Sequence, residues 1–314
     1  MSTVSTDQRA FLTRSAAAAS IAVAVLLAIM KVWAVWRTGS TAMLGSLADT
    51  TLDLIASIAT LAGVWVAAQP ADAEHRFGHG KAEALAAMFQ VVLISFSAAG
   101  LLFRGVSQLL AGARTEAAAD GILVSLVAFA ATLALLAWQR HVIRRTGSLA
   151  ITTDNLHYKS DLALNLAVIA ALALEQYAHV AGADAGFGIV IALWLGWGAF
   201  SASREAVNQI MDREWPEEKR DELLAVLARN PDLRGVHDLR TRTSGAHDFA
   251  QFHASVDPLL TVERAHDVVD AIEDEVMRAF PGIELLVHLD PANRTREEGL
   301  ATQELLPGKD QSGG

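Results

Sequence analysis

The stretch Gly45–Ser57 reads GSLADTTLDLIAS and places two aspartates, Asp49 and Asp53, four residues apart inside an apolar run. On a helix, residues i and i+4 share a face, so the two carboxylates lie about a turn from each other. A charged side chain in hydrocarbon costs roughly 3 kcal/mol or more on insertion scales, and such residues seldom stand in a bilayer without a task. A second stretch, DNLHYKSDLALN (Asp154–Asn165), repeats the spacing with His157 and Asp161. Three carboxylates and one imidazole make a four-ligand set if the two helices are neighbours. Oxygen and nitrogen donors of this kind suit a borderline divalent ion, and tetrahedral coordination asks each helix for only two ligands. Asn165 continues the polar stripe by one further turn, in support of the site or in helix packing.

Outward from these stretches the chain reads as a membrane protein. It has 314 residues, 52% hydrophobic and only 19% charged, with mean hydropathy +0.31, too apolar for a soluble enzyme of this length. With ~20 apolar residues sufficient to cross a bilayer, six spans are predicted near Ser15–Trp36, Ala42–Ala68, Ala82–Leu110, Gly121–Trp138, Leu149–Val180 and Phe187–Ala202. The polar N-terminal segment leads into the first span without a convincing cleavage site, so that span is read as retained. Arg9, Arg14, Arg76, Lys81, Arg140, Arg144, Arg145, Arg204 and Arg213 fall on one side, against Lys31, Arg37, Arg104 and Arg114 on or near the other. The bias puts both termini in the cytoplasm and the protein in the cytoplasmic (inner) membrane.

Charges concentrate after about Arg204, which predicts a lipid domain, 1–212, and a water-soluble one, 213–293, with a polar, Gly-rich tail, 294–314, expected to be disordered. In the soluble part, Glu217–Arg229 and Thr261–Phe280 have helical periodicity, and Val236–Thr243, Phe249–Asp257 and Ile283–Asp290 read as strands. The order α-β-β-α-β can lay both helices on one face of a small sheet, a two-layer α+β unit.

Cysteine is absent, so any metal is held by imidazole and carboxylate, and copper(I) is disfavoured. The net charge of −10 argues against nucleic acid. In the loop PADAEHRFGHGKAEA (70–84), Asp72, His75 and His79 can close on a metal or stand solvated. GHGK there is not a phosphate loop, because G-x-x-x-x-G-K-[ST] is lacking and no strand precedes it, so an ATP-driven pump is disfavoured. Further on, His237, His253, His266, His288 and Asp290 fall on or beside four predicted elements, and spacing alone does not bring them together. His141, His179 and His247 read as surface residues.

The strings SLADTTLD, RFGHGKAE, LHYKSD, MDREWP and VHLDP, in that order from the first span to about Pro291, resemble the cation diffusion facilitator family, specifically its bacterial zinc/ferrous-iron efflux branch. The resemblance implies a homodimer of six-span protomers with a cytoplasmic ferredoxin-like domain and proton-driven metal efflux. It assigns Asp49, Asp53, His157 and Asp161 to a transport site, Asp72, His75 and His79 to a loop site, and His237, His253, His266, His288 and Asp290 to a binuclear site that stabilises the dimer. It gives Lys81 and Asp212 a charge interlock and puts Leu156 at an apolar gate. Lys159, two residues from His157, departs slightly from the pattern and points away from the site on a helix.

On this reading metal and protons compete, because the emptied site gathers three negative charges, and His157 is the preferred proton carrier since imidazole titrates near neutrality. Zinc or iron(II) lead as substrate, with cobalt(II) and cadmium also acceptable to the donor set. An intramembrane metal hydrolase would need an open coordination position, and no H-E-x-x-H string is present. A metal sensor or storage protein would leave the intramembrane aspartates unexplained.

Overall fold

The computed structural model describes residues 6–38, 41–111, 122–178, 183–233 and 235–292. It divides into two compact units, one ending at Ile210 and one beginning at Met211.

The first unit contains six long helices: α1 (Thr6–Thr38), α2 (Thr41–Ala67), α3 (Ala82–Ala111), α4 (Ile122–Thr146), α5 (Leu149–Ala178) and α6 (Ala183–Ile210). Among the described residues, four of them (α1, α2, α3 and α6) are long and apolar enough to cross a membrane. The other two carry more polar residues: α5 holds Asp154, His157, Lys159 and Asp161, and α4 ends on Gln139, Arg140, His141, Arg144 and Arg145. Small side chains let the helices approach: Ala16, Ala17, Ala86 and Ala150 are buried together with Leu12, Val64 and Ile151. A Cβ added at Gly63 would collide with the Cβ of Ala86, so glycine is required where α2 meets α3.

Helix ends follow local chemistry. Gly147, at φ +62, closes α4 by donating its N–H to Ile143 O at 2.8 Å, a left-handed conformation that glycine adopts without penalty. Ser148 then opens α5, its Oγ accepting from Ile151 N at 3.3 Å and donating to Glu83 Oε1. Glu83 is also the ion-pair partner of Arg9, at 3.0 Å, and Arg9 Nε donates to Thr146 O at 3.1 Å. One carboxylate thus ties together α1, α3 and the α4–α5 turn.

The second unit runs α7 (Glu217–Leu227), β1 (Gly235–Ser244), β2 (His247–Val256), α8 (Val262–Ala279) and β3 (Ile283–Pro291), the α-β-β-α-β order read from the sequence. The sheet order is β1-β2-β3, antiparallel between the first pair and parallel between the second. Thr261 caps α8, accepting from Arg264 N at 3.3 Å. Val268, Ile272 and Val276 recur at helical spacing and pack with Leu223, Val226 and Leu227 of α7 against Ala250, Phe252 and Ala254. Both helices therefore cover the same face of the sheet, and alternation sends the odd-numbered residues of β2, His253 among them, to the other face. The tail expected to be disordered, 294–314, lies outside the described residues.

Candidate metal centres

In α2 and α5, His157 Nε2 and Asp53 Oδ1 are a hydrogen-bonded pair at 2.8 Å, with side chains 12% and 19% exposed. Asp161 joins them: ligand atoms of Asp53, His157 and Asp161 all lie within 4.8 Å of one another. Helical spacing delivers His157 and Asp161 from one face of α5, and the packing of α2 against α5 brings Asp53 to meet them. Asp49 sits one turn before Asp53 on α2, its side chain outside the described residues. Leu156 packs over Gly198 of α6, where a Cβ would come within 2.8 Å of its Cδ2. Its place is the α5–α6 contact.

The α2–α3 loop gathers Asp72, His75 and His79. Asp72 lies 3.4 Å from His75 Nδ1 and 3.3 Å from His79 Nε2, and the two rings are 4.5 Å apart. The carboxylate also folds the turn, accepting from the backbone N–H of His75 at 2.6 Å and of Glu74 at 2.9 Å. The His75 amide is the main cause holding the Asp72 carboxyl below its ordinary range; slight desolvation opposes it, and the Glu74 amide and both imidazoles assist. His79 Nδ1 is buried without a hydrogen-bond partner. It is Nε2 that His79 presents to Asp72, and ligand atoms of Asp72, His75 and His79 all lie within 4.8 Å of one another.

In the second unit, register creates a third cluster. His237 of β1 pairs with His253 of β2, which pairs with His288 of β3, so three histidines form one rung on the face away from the helices. Ring centroids are 5.2 Å apart for the first pair and 4.5 Å for the second. Asp290, two residues along β3 and hence on the same face, reaches all three, at 2.8 Å from His253, 3.3 Å from His237 and 3.5 Å from His288. Two ligand triads share His253: His237–Asp238–His253 and His253–His288–Asp290. His266 stands apart within the chain, exposed on α8 beside Asp270 at 3.5 Å, because α8 covers the opposite face of the sheet.

Comparison with known proteins follows the same division. The cation efflux transmembrane domain profile matches residues 17–211, and the profile of the cation efflux protein cytoplasmic domain matches residues 215–292. The chain belongs to the cation diffusion facilitator family. This facilitator is 41% identical over 278 residues to the cation-efflux pump FieF of Klebsiella pneumoniae, covering 88% of this chain and 92% of the pump. It is 40% identical over 284 residues to FieF of Escherichia fergusonii, covering 90% and 94%. Among solved structures, the metal-bound C-terminal domain of the CzcD transporter from Thermotoga maritima is 26% identical, covering 26% of this chain and 100% of that one, with a TM-score of 0.25. The cytosolic domain of a cation diffusion facilitator family protein is 28% identical, covering 24% and 93%, with a TM-score of 0.24.

Lys81 and Asp212, expected from the sequence to form a charge interlock, each have partners within their own units. Lys81 Nζ donates to Ile210 O at 3.1 Å, and Asp212, at φ +54, accepts from Arg242 Nη1 at 3.4 Å. Two acidic residues escaped the sequence reading. Asp238 sits at a β-bulge between His237 and Arg240 with φ +52, and nothing local announces the bulge. Asp154 stands inside the quoted DNLHYKSD string, on the same helical stripe as His157 and Asp161 at i, i+3 and i+7, a spacing that was available as a signal. It is fully buried.

Proposed function

We propose that this facilitator exports a divalent transition metal, zinc or ferrous iron, from the cytoplasm by exchange for protons, as a homodimer whose protomers each cross the cytoplasmic membrane six times with both termini inside. The observation that carries the reading is the Asp53–His157–Asp161 cluster, three metal-competent side chains held together, largely shielded, in a helical unit of which four described helices are long and apolar enough to cross a membrane. The FieF relatives, named cation-efflux pumps, support the direction of transport.

Asp53 and Asp161 supply hard anionic oxygens, and Asp49 adds a third from one turn away on α2. His157 supplies the nitrogen that biases the set toward borderline ions and away from calcium or magnesium. Ligand atoms about a tetrahedral zinc lie ~3.3 Å apart, so the Asp53–His157 pair opens slightly and surrenders its hydrogen bond as metal enters. When metal leaves, the repulsion among the carboxylates is relieved by protons, and His157 is the group whose ordinary titration range matches the cytoplasm. Asp72, His75 and His79 act as an entry site on the cytoplasmic side, and the histidine rung with Asp290 holds resident metal that favours the dimer, to which His266 of each protomer contributes.

The test is metal flux into proteoliposomes, zinc against ferrous iron, with and without an imposed pH gradient and with lumenal pH recorded. Metal movement coupled to opposite proton movement is the expected result and ranks the ions. Tight metal binding with no flux overturns the reading in favour of a sensor.

A further inference from the structure

Asp154 is a carboxylate that the transport reading leaves without a task, yet the fold surrounds it with side-chain partners from three other helices. Ser20 Oγ of α1 donates to Oδ2 at 2.6 Å, Gln139 Nε2 of α4 to the same oxygen at 2.7 Å, and Gln90 Nε2 of α3 to Oδ1 at 2.9 Å. The side chains of Asp154, Ser20, Gln139 and Gln90 are all 0–1% exposed. The surrounding bonds fix which way these donors face. Asn155 Nδ2 donates to Gln139 Oε1 at 2.9 Å, which leaves the Gln139 amide nitrogen turned to Asp154. Thr60 gives its hydroxyl proton to Ala56 O and accepts from Gln90 Nε2, which turns the Gln90 amide nitrogen the same way. The orientation is kept although it leaves Gln90 Oε1 buried without a partner. Both glutamine amides turn a donor to the carboxylate, and the Ser20 hydroxyl, 3.2 Å from Ala16 O and accepting from Gln139 Nε2 at 3.0 Å, stands closer to Asp154 than to its other partners, an arrangement suited to solvating an anion.

We infer that Asp154 is a positioning residue of the transport site: a fixed negative charge, never a ligand, that docks α1, α3 and α4 onto α5 and draws divalent cations to His157 and Asp161 on the same helical stripe. The inference rests on the transport reading. Three neutral donors from three other helices engage both carboxylate oxygens, which ties the group to the helix packing and not to the ion. Its influence on the site is through space, where Coulomb attraction is strong in a poorly solvated interior.

The experiment compares wild-type and Asp154→Asn protein in phosphatidylethanolamine–phosphatidylglycerol vesicles, reading zinc flux against zinc concentration, with melting of the detergent-solubilised protein alongside. The isosteric amide is expected to raise the half-saturating zinc concentration about tenfold while maximal flux stays within about twofold, the pattern of a lost charge near an ion site. A half-saturating concentration that does not move, with melting temperature and maximal flux falling, makes Asp154 a packing post and overturns the inference. Should the amide prevent folding, the variant Asp154→Leu/Gln139→Leu/Ser20→Ala removes the charge together with two of its donors, a replacement that buried polar groups often tolerate. It is judged by the same half-saturation. Absence of zinc flux in the wild type would defeat the transport reading itself; wild-type flux with unmoved half-saturation in the variants defeats this inference alone.

Discussion

His253 Nδ1 lies 2.8 Å from Asp290 Oδ2, and this contact makes His253 the residue on which the histidine rung turns. It belongs to both ligand triads, flanked by His237 on one strand and His288 on the other. Zinc at a hundred times its dissociation constant stabilises a single site by about 2.7 kcal/mol. Hydrogen exchange of the β1 and β2 amides in the full-length protein should therefore slow on zinc addition, and His253→Ala should abolish the slowing. His266→Ala should leave most of it when protein is dilute, since that side chain stands away from the rung. Full zinc protection in His253→Ala would contradict the assignment.

Asp72 is the place where pH should speak through the fold. Its carboxyl is held below the ordinary value by the His75 amide, so the turn it makes is fully supported above the ordinary carboxylate range and loses that support as pH falls through the lower native value. Exchange at the His75 amide should be insensitive to pH-dependent opening near neutrality and rise only in that acid window. Asp72→Asn, which keeps an accepting oxygen, should flatten the acid response. A response already complete near pH 6 would assign it to the histidines instead.

Glu83 and Arg9 form a pair with side chains 3% and 16% exposed, backed by Ser148 and the Thr146 carbonyl. Breaking a buried pair from one side costs about 3–5 kcal/mol. Glu83→Ala should destabilise the helical unit by about 3 kcal/mol, the low end, because Arg9 keeps some access to solvent. Adding Arg9→Ala should cost little more, measured by unfolding in mixed detergent. Strict additivity of the two would show that the pair does not act as a unit.

Much of this was legible because its causes are local. The α-β-β-α-β order follows from apolar spacing such as Val268, Ile272 and Val276, and from Thr261 as a helix opener. His157 and Asp161 share a helical face by spacing alone. The rung of His237, His253 and His288 was not legible, since it depends on strand register and on a bulge at Asp238. Asp154 could be seen as a third member of the α5 stripe, but its three donors come from α1, α3 and α4, separated from it by 15 to 134 positions in the chain. Two helices, α4 and α5, are more polar than a span read from length alone suggests.

Gly63 marks the closest approach of α2 and α3, and a methyl there meets Ala86. Gly63→Ala should destabilise by about 1–3 kcal/mol, as overpacking does. Because α2 carries Asp53, transport should suffer with stability. The double variant Gly63→Ala/Ala86→Gly should recover much of both, checked by unfolding and flux on the same preparations.

The most direct measurement is zinc flux in proteoliposomes for wild type, Asp53→Ala and His157→Ala, with each variant verified as folded. The two side chains touch at 2.8 Å in the cluster proposed to carry the metal, so either substitution should lower flux by more than the roughly 100-fold that changes around a metal's ligands produce. Flux near the wild-type rate in both variants would contradict the account, because the metal would then be crossing somewhere else.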